Sequence, residues 1–283
     1  MVARLEGAHT QSRIKSATFI KEDAMYYGQF DPPVDRFIHD RYFSDSPRNG
    51  VLIECGAYDG NLESSCKFFE ESLGWRAINV EPSPDIYKKL VMNRPGSLNI
   101  QAALTNEDKP VSFTDVHFPG RELLGHGSMK HLDFHKELLD NEGCRYEIQT
   151  VPGTTYASLI RNLNLPRVDL MVLDIEGCEL IALEGFRDAA VLPSVLCVEH
   201  GHLGVDAIRQ AVEPLGFVFD TTSFVNSFFV HRGLASRVVE LSRRGESSQW
   251  RKLASRVAKM NGRVESSAWR KLKSLFGRRK TAA

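Results

Sequence analysis

No stretch of the 283 residues approaches about 18 consecutive apolar side chains, so the sequence offers no helix able to cross a bilayer. The opening residues mix Arg4, Glu6, Arg13 and Lys15 and lack an apolar signal core, which argues against secretion and for a cytoplasmic location. Cysteine is scarce and odd in number. Cys55, Cys66, Cys144, Cys178 and Cys197 show no CxxC spacing and mostly sit in apolar runs, which reads as small buried thiols in a reducing compartment. Also missing is GxGxxG, the glycine pattern that bares backbone amides to a pyrophosphate. Net charge is absent too, since 36 basic and 36 acidic side chains cancel. The cancellation hides a polarity: residues 1–231 carry 21 basic and 33 acidic groups, and residues 232–283 carry 15 basic and 3 acidic. What is present, 42% hydrophobic and 25% charged residues, excludes a disordered, collagenous or coiled-coil chain and is enough for a sizeable core.

After a polar lead over residues 1–24, apolar runs alternate with helical patterns, as in a parallel sheet with crossover helices. VLIEC (51–55) reads as a buried strand. NLESSCKFFEESLG follows as a helix, with Leu62, Cys66, Phe69 and Leu73 on one face and Gly74 as its stop. AINVE (77–81) is a second strand, SPDIYKKLVMN a helix capped by Ser83 with Pro84 first, LNIQAAL (98–104) a third strand and VSFTDV (111–116) a short edge strand. Between Phe118 and Gly143 periodicity dissolves into glycines and His126, His131 and His135, a long irregular insertion of the kind that covers substrates. YEIQTV (146–151), a helix near Tyr156–Leu163, VDLMVLDI (168–175), a helix opened by EGCEL and closed by Gly185, and SVLCVEH (194–200) continue the pattern. FVFDTT (217–222) and NSFFVH (226–231) form a closing hairpin.

In an open α/β sheet, ligands sit beyond the carboxyl ends of the strands where the strand order reverses. Those ends are acidic here: Glu54 before GAYDG, Glu81, Asp174 with Glu176, and Glu199 with His200. Glycines in a GxxxG loop serve tight packing as readily as ligand approach, but Asp59 in mid-loop would repel a pyrophosphate and tolerate a cation. Glu81, 21 residues after Gly60, stands where an acid accepts hydrogen bonds from both hydroxyls of a ribose. Together these carboxylates favour S-adenosylmethionine, whose sulfonium and amino group are cationic and which has no phosphate.

ECGAYDG, INVEPSP and VDLMVLDIEGCELIALEGF, in this order with GQF (28–30) upstream, resemble the FkbM family of S-adenosylmethionine-dependent O-methyltransferases over residues 25–231. The resemblance implies a Rossmann-like class I methyltransferase domain, a mostly parallel seven-stranded sheet with helices on both faces and a C-terminal antiparallel hairpin. It puts cofactor contacts on Glu54, Gly56, Asp59, Gly60, Glu81, Pro82 and Ser83, to which Ala57, Tyr58 and Ala102 are added, and implies a hydroxyl acceptor, often on a sugar or glycolipid. The competing readings are an NAD or nucleotide-sugar oxidoreductase, which the absent GxGxxG disfavours, and a non-catalytic cofactor-binding adaptor.

Methyl transfer asks the protein to position an acceptor oxygen and remove its proton. Asp174, Glu176, Glu199 and His200 are the candidates, with His202 beside them, although Asp174 or Glu176 equally suits a helix cap. The three carboxylates admit Mg2+ without requiring it, because their spacing matches no specific metal motif. His131 and His135, four apart, would share a helix face, but no Cys or acid completes a metal set in sequence, so no metal ligand is assigned. In the tail, ESSQWRKLASR (246–256) recurs as ESSAWRKLKSL (265–275), eight identities in eleven. As a helix pair, this repeat would set Trp, Leu and Val against Lys and Arg, which suits an anionic membrane surface, docking on the acidic body, or disorder. No nucleic-acid partner is expected.

Overall fold

The computed structural model describes residues 25–44, 49–120 and 125–233, so the lead over 1–24 and the repeat-bearing tail lie outside the described residues. The chain runs α1 (Val34–Ile38), β1 (Val51–Cys55), α2 (Lys67–Leu73), β2 (Arg76–Val80), α3 (Pro84–Asn93), β3 (Leu98–Ile100), β4 (Ala103–Leu104) and β5 (Val111–His117). It continues with α4 (Asp133–Asn141), β6 (Arg145–Val151), β7 (Gly153–Thr154), α5 (Tyr156–Leu163), β8 (Val168–Leu173), α6 (Glu179–Glu184), β9 (Pro193–Glu199), α7 (Val205–Val212), β10 (Phe217–Ser223) and β11 (Asn226–His231).

Seven strands form the main sheet in the order β10-β11-β9-β8-β1-β2-β3. From β3 to β9 every pairing is parallel, and β11 is antiparallel to both β9 and β10. The chain leaves β1 toward β2 and β3 and returns to its other side as β8, so the crevice of a reversed strand order opens at the carboxyl ends of β1 and β8. These strands read as unbroken apolar runs because both faces are covered. Leu52, Ala77, Leu170 and Val172 meet Ile38, Phe43, Phe69 and Trp75 on one face. Ile53, Ile78, Met171 and Leu173 meet Tyr156, Ile160, Leu183 and Phe186 on the other. Among the described residues no helix is long and apolar enough to cross a membrane, and all five cysteines are free thiols.

Three elements differ from the sequence expectation. The helix predicted from Leu62 begins only at Lys67, and Leu62 is 53% exposed. The predicted third strand stops at Ile100, and Ala103–Leu104 pairs with Gly153–Thr154 outside the main sheet. VSFTDV is no edge of that sheet either, because β5 pairs antiparallel with β6 in a separate ribbon. Alternation predicts a strand with one covered face; it does not name the partner. The irregular insertion holds a regular helix, α4, whose buried residues are His135 and Leu139.

Candidate active site

A cavity of about 690 Å3 opens at the carboxyl ends of β1, β2, β8 and β9, within the size range of small-ligand sites. Its first wall is the loop after β1. Gly56 has φ +79°, and a Cβ there would lie 1.7 Å from the Asp174 carbonyl oxygen, so only glycine lets this loop abut the end of β8. The N–H groups of Gly56 and Ala57 donate to the Val80 carbonyl at 3.1 and 3.3 Å. Tyr58 N–H donates to Glu81 Oε2 at 3.1 Å, and Gly60 N–H to the Ala57 carbonyl at 2.9 Å. These four amides, which could have cradled a diphosphate, are therefore spent on Val80, Glu81 and Ala57. Asp59 turns away from the cavity, where its Oδ1 accepts from the N–H groups of Asn61 and Leu62, both at 2.8 Å.

Glu81 ends this side of the site. Its Oε1 accepts from Ser83 N–H at 2.9 Å and its Oε2 from Tyr58, and each oxygen keeps a second lone pair for an incoming hydroxyl. Burial pushes its carboxyl up to about 8 despite those two amides. Pro82, Ile86, Ala102, Leu104 and Phe113 line an apolar slot beside it. Glu54 accepts from the Ser64 hydroxyl at 3.0 and 3.1 Å, with the Arg94 guanidinium 3.7 Å away. Burial raises the Glu54 carboxyl, and Arg94 and Ser64 pull it back in part. This donor set fits S-adenosylmethionine: acceptors for a ribose and a cation, an apolar slot for a base, and no cradle for phosphate.

The opposite end is built from β8, β9, α4 and the loops around them. Glu179, fully buried, accepts from the N–H groups of Ile175 and Gly177 at 3.0 and 3.2 Å. It thus ties down the turn between β8 and α6, whose N-cap position is Cys178 with no side-chain cap; the capping role expected for Asp174 or Glu176 is filled by neither, and both border the cavity. Glu176 adopts φ +55°, uncommon outside glycine, which turns its carboxylate toward three imidazoles. His202 Nε2 donates to Glu176 Oε2 at 3.0 Å, while the Nδ1 atoms of His126 and His135 lie 3.5 and 3.8 Å from its oxygens. Burial alone would raise Glu176, but His126 and His202 outweigh it and hold the carboxyl near 2. Asp174 and Glu199 move the other way: burial raises both first, then repulsion from Glu176 and Glu179 raises Asp174, and repulsion from Asp174, Glu176 and Glu179 raises Glu199. Asp174 is itself exposed to the open cavity, so water there moderates that repulsion.

The cavity thus gathers Glu54, Gly56, Ala57, Tyr58, Glu81, Pro82, Ala102, Asp174, Glu176, Glu199 and His202 of the predicted residues. It does not gather Asp59, Gly60, Ser83 or His200. Gly60 packs against Leu90 and Arg94, Ser83 sits at the N-cap of α3 without the side-chain cap expected of it, and His200 Nδ1 is engaged with the Ser227 hydroxyl at 2.8 Å. Sequence reasoning missed Ser64 and Arg94 as the groups that hold Glu54, because nothing local links positions that far apart. It also missed the acid that joins the histidines, Glu176, although His135 and Leu139 at helical spacing carried a signal for a buried imidazole.

The model of the FkbM methyltransferase domain matches residues 54–226, which spans the cavity walls from Glu54 to Asn226. No curated protein matches the chain. A FkbM methyltransferase from Methylobacillus flagellatus is 14% identical with a TM-score of 0.40, covering 70% of this chain and 50% of its own. A TehB-like SAM-dependent methyltransferase from Corynebacterium glutamicum is 11% identical with a TM-score of 0.38, covering 70% of this chain and 87% of its own. Aeropyrum pernix fibrillarin, with S-adenosyl-L-methionine bound, is 9% identical with a TM-score of 0.36, covering 65% and 67%. With the domain matched over most of the chain and an adenosyl-compatible cavity at its strand ends, this protein belongs to the FkbM family of S-adenosylmethionine-dependent methyltransferases.

Proposed function

We propose that the enzyme methylates a hydroxyl oxygen, on a sugar or glycolipid, with Asp174 as the group that receives the hydroxyl proton. One observation carries this reading: a single cavity holds the Glu81 end, shaped for an adenosyl group, and the Asp174–Glu199 end, rich in proton acceptors. The cofactor supplies a methyl carbon activated by sulfonium, so that the new O–C bond is balanced by the breaking C–S bond. Glu81 holds the ribose, Glu54 biases the site toward positive charge, and Asp174 takes the proton as the oxygen attacks. An acceptor with an apolar portion is favoured by the cavity mouth, where exposed Leu62, Leu138 and Phe30 border the opening and Phe30 stacks on Phe224 at 4.4 Å. The basic tandem repeat of the tail supports a station on an anionic membrane face, where such acceptors are presented.

Calorimetry with S-adenosylmethionine and with NAD tests the cofactor end; binding of the first and not the second is expected. Turnover of a labelled methyl donor on a panel of glycans and glycolipids tests the acceptor. Asp174→Asn is expected to lower turnover by ~10²–10⁴-fold while cofactor affinity stays within about twofold. Full activity in that variant would remove Asp174 from the chemistry, and a labelled nitrogen or carbon acceptor would replace the hydroxyl assignment.

A further inference from the structure

We propose that His126, His135 and Glu176 form a binding site for a divalent first-row transition-metal ion, Zn2+ above all, at the acceptor end of the cavity. The ligand atoms of these three side chains all lie within 4.8 Å of one another, drawn from the loop before α4, from α4 itself and from the loop after β8. The separations of 3.5 Å from His126 Nδ1 and 3.8 Å from His135 Nδ1 to the Glu176 oxygens are close to the ~3.4 Å between ligand atoms around a four-coordinate zinc. An independent observation points to a ligand. The Nδ1 atoms of both histidines are buried without a hydrogen-bond partner, and His135 as a residue is only 7% exposed. A buried imidazole nitrogen that faces a carboxylate at 3.5–3.8 Å without forming a hydrogen bond is costly unless something sits between them.

Neighbouring groups orient this set. His202 Nε2 donates to Glu176 Oε2 at 3.0 Å and fixes the carboxylate. His131 Nε2 donates to the His126 carbonyl at 2.8 Å and fixes the loop that carries His126. Asp174 and Glu199 border the same space, so a dication would also offset a local excess of carboxylates. Two nitrogens and one oxygen suit a transition ion rather than Mg2+, which prefers oxygen and water. Three protein ligands leave a fourth position, as in catalytic zinc sites, and all three residues border the cavity. Use of that position to hold the acceptor oxygen rests on the proposed function; the ion site itself rests only on the side chains.

The test uses the full chain, stripped with a chelator and titrated with Zn2+ by calorimetry, with Co2+ absorption as a second readout. Wild type is expected to take up one ion per chain and to give visible Co2+ d–d bands. Glu176→Gln and His126→Ala are expected to bind Zn2+ at least ~tenfold more weakly and to lose the bands, with His135→Ala as a third variant. Far-UV circular dichroism and a cooperative thermal transition like those of wild type certify that these variants fold. If stripped wild type takes up no Zn2+, or if Glu176→Gln and His126→Ala bind it as tightly as wild type, the site does not exist. Absence of S-adenosylmethionine binding by wild type would overturn the cofactor reading alone, because Zn2+ uptake is measured without it.

Discussion

At the scale of the residue, Glu81 carries the most consequence, because it is buried, already holds two backbone amides, and still presents free lone pairs to the cavity. Under the proposed function Glu81→Ala removes the acceptor for a ribose diol, and S-adenosylmethionine affinity measured by calorimetry is expected to fall at least ~tenfold, as for the loss of hydrogen bonds at a buried site. Its titration also has a sign. The unfolded chain ionises this carboxyl near the ordinary 4.5, and the folded chain ionises it only near 8, so the folded state holds the extra proton between them. Stability contributed by this residue therefore declines as pH rises through that window. Melting temperatures of the ligand-free protein between about pH 5 and about 8 should fall less steeply for Glu81→Gln than for wild type. Spacing alone disclosed Glu81, since its place at a strand end follows from the strand. The division of labour among Asp174, Glu176 and Glu179 was not legible, because it depends on the left-handed turn at Glu176 and Gly177 that aims each carboxylate differently.

At the scale of the element, the central strands that build the site were legible because their residues are covered on both faces, which leaves an apolar run with polar residues only near its ends. VLIEC and VDLMVL are examples; they and the closing hairpin, whose outer strand β10 is half-buried, occupy their expected places in the sheet. The β5–β6 ribbon was not legible as such, for its alternating pattern is compatible with any partner. Nor was the late start of α2, where residues that fit a helical face instead form the cavity wall with Leu62 and Ser64. The junction of β1 and β8 makes the sharpest prediction at this scale. Gly56→Ala sets a methyl group against the Asp174 carbonyl and strains a positive φ, and it is expected to destabilise the fold by more than about 2 kcal/mol. Denaturant unfolding measures that loss, and a stability equal to wild type would contradict the tight approach of Gly56 to the Asp174 carbonyl.

At the scale of the whole molecule, the separation of charge between an acidic body and a basic tail was visible in the sequence and bears on where the enzyme works. Each Lys or Arg near an anionic surface contributes about 1 kcal/mol, so a tail with 15 such residues should carry the protein onto acidic vesicles. Sedimentation with anionic liposomes is expected to pellet the full chain and leave a 1–232 truncation in solution; equal partitioning would remove the tail from membrane attachment. The contact at Gly56 also reaches beyond its own turn. Because the Asp174 carbonyl at the end of β8 fills the place of a side chain on the loop after β1, the two walls of the cavity are packed together with no gap between them. Under the proposed function this contact fixes the spacing of methyl source and proton sink, so that retuning of the acceptor falls to the residues at the cavity mouth.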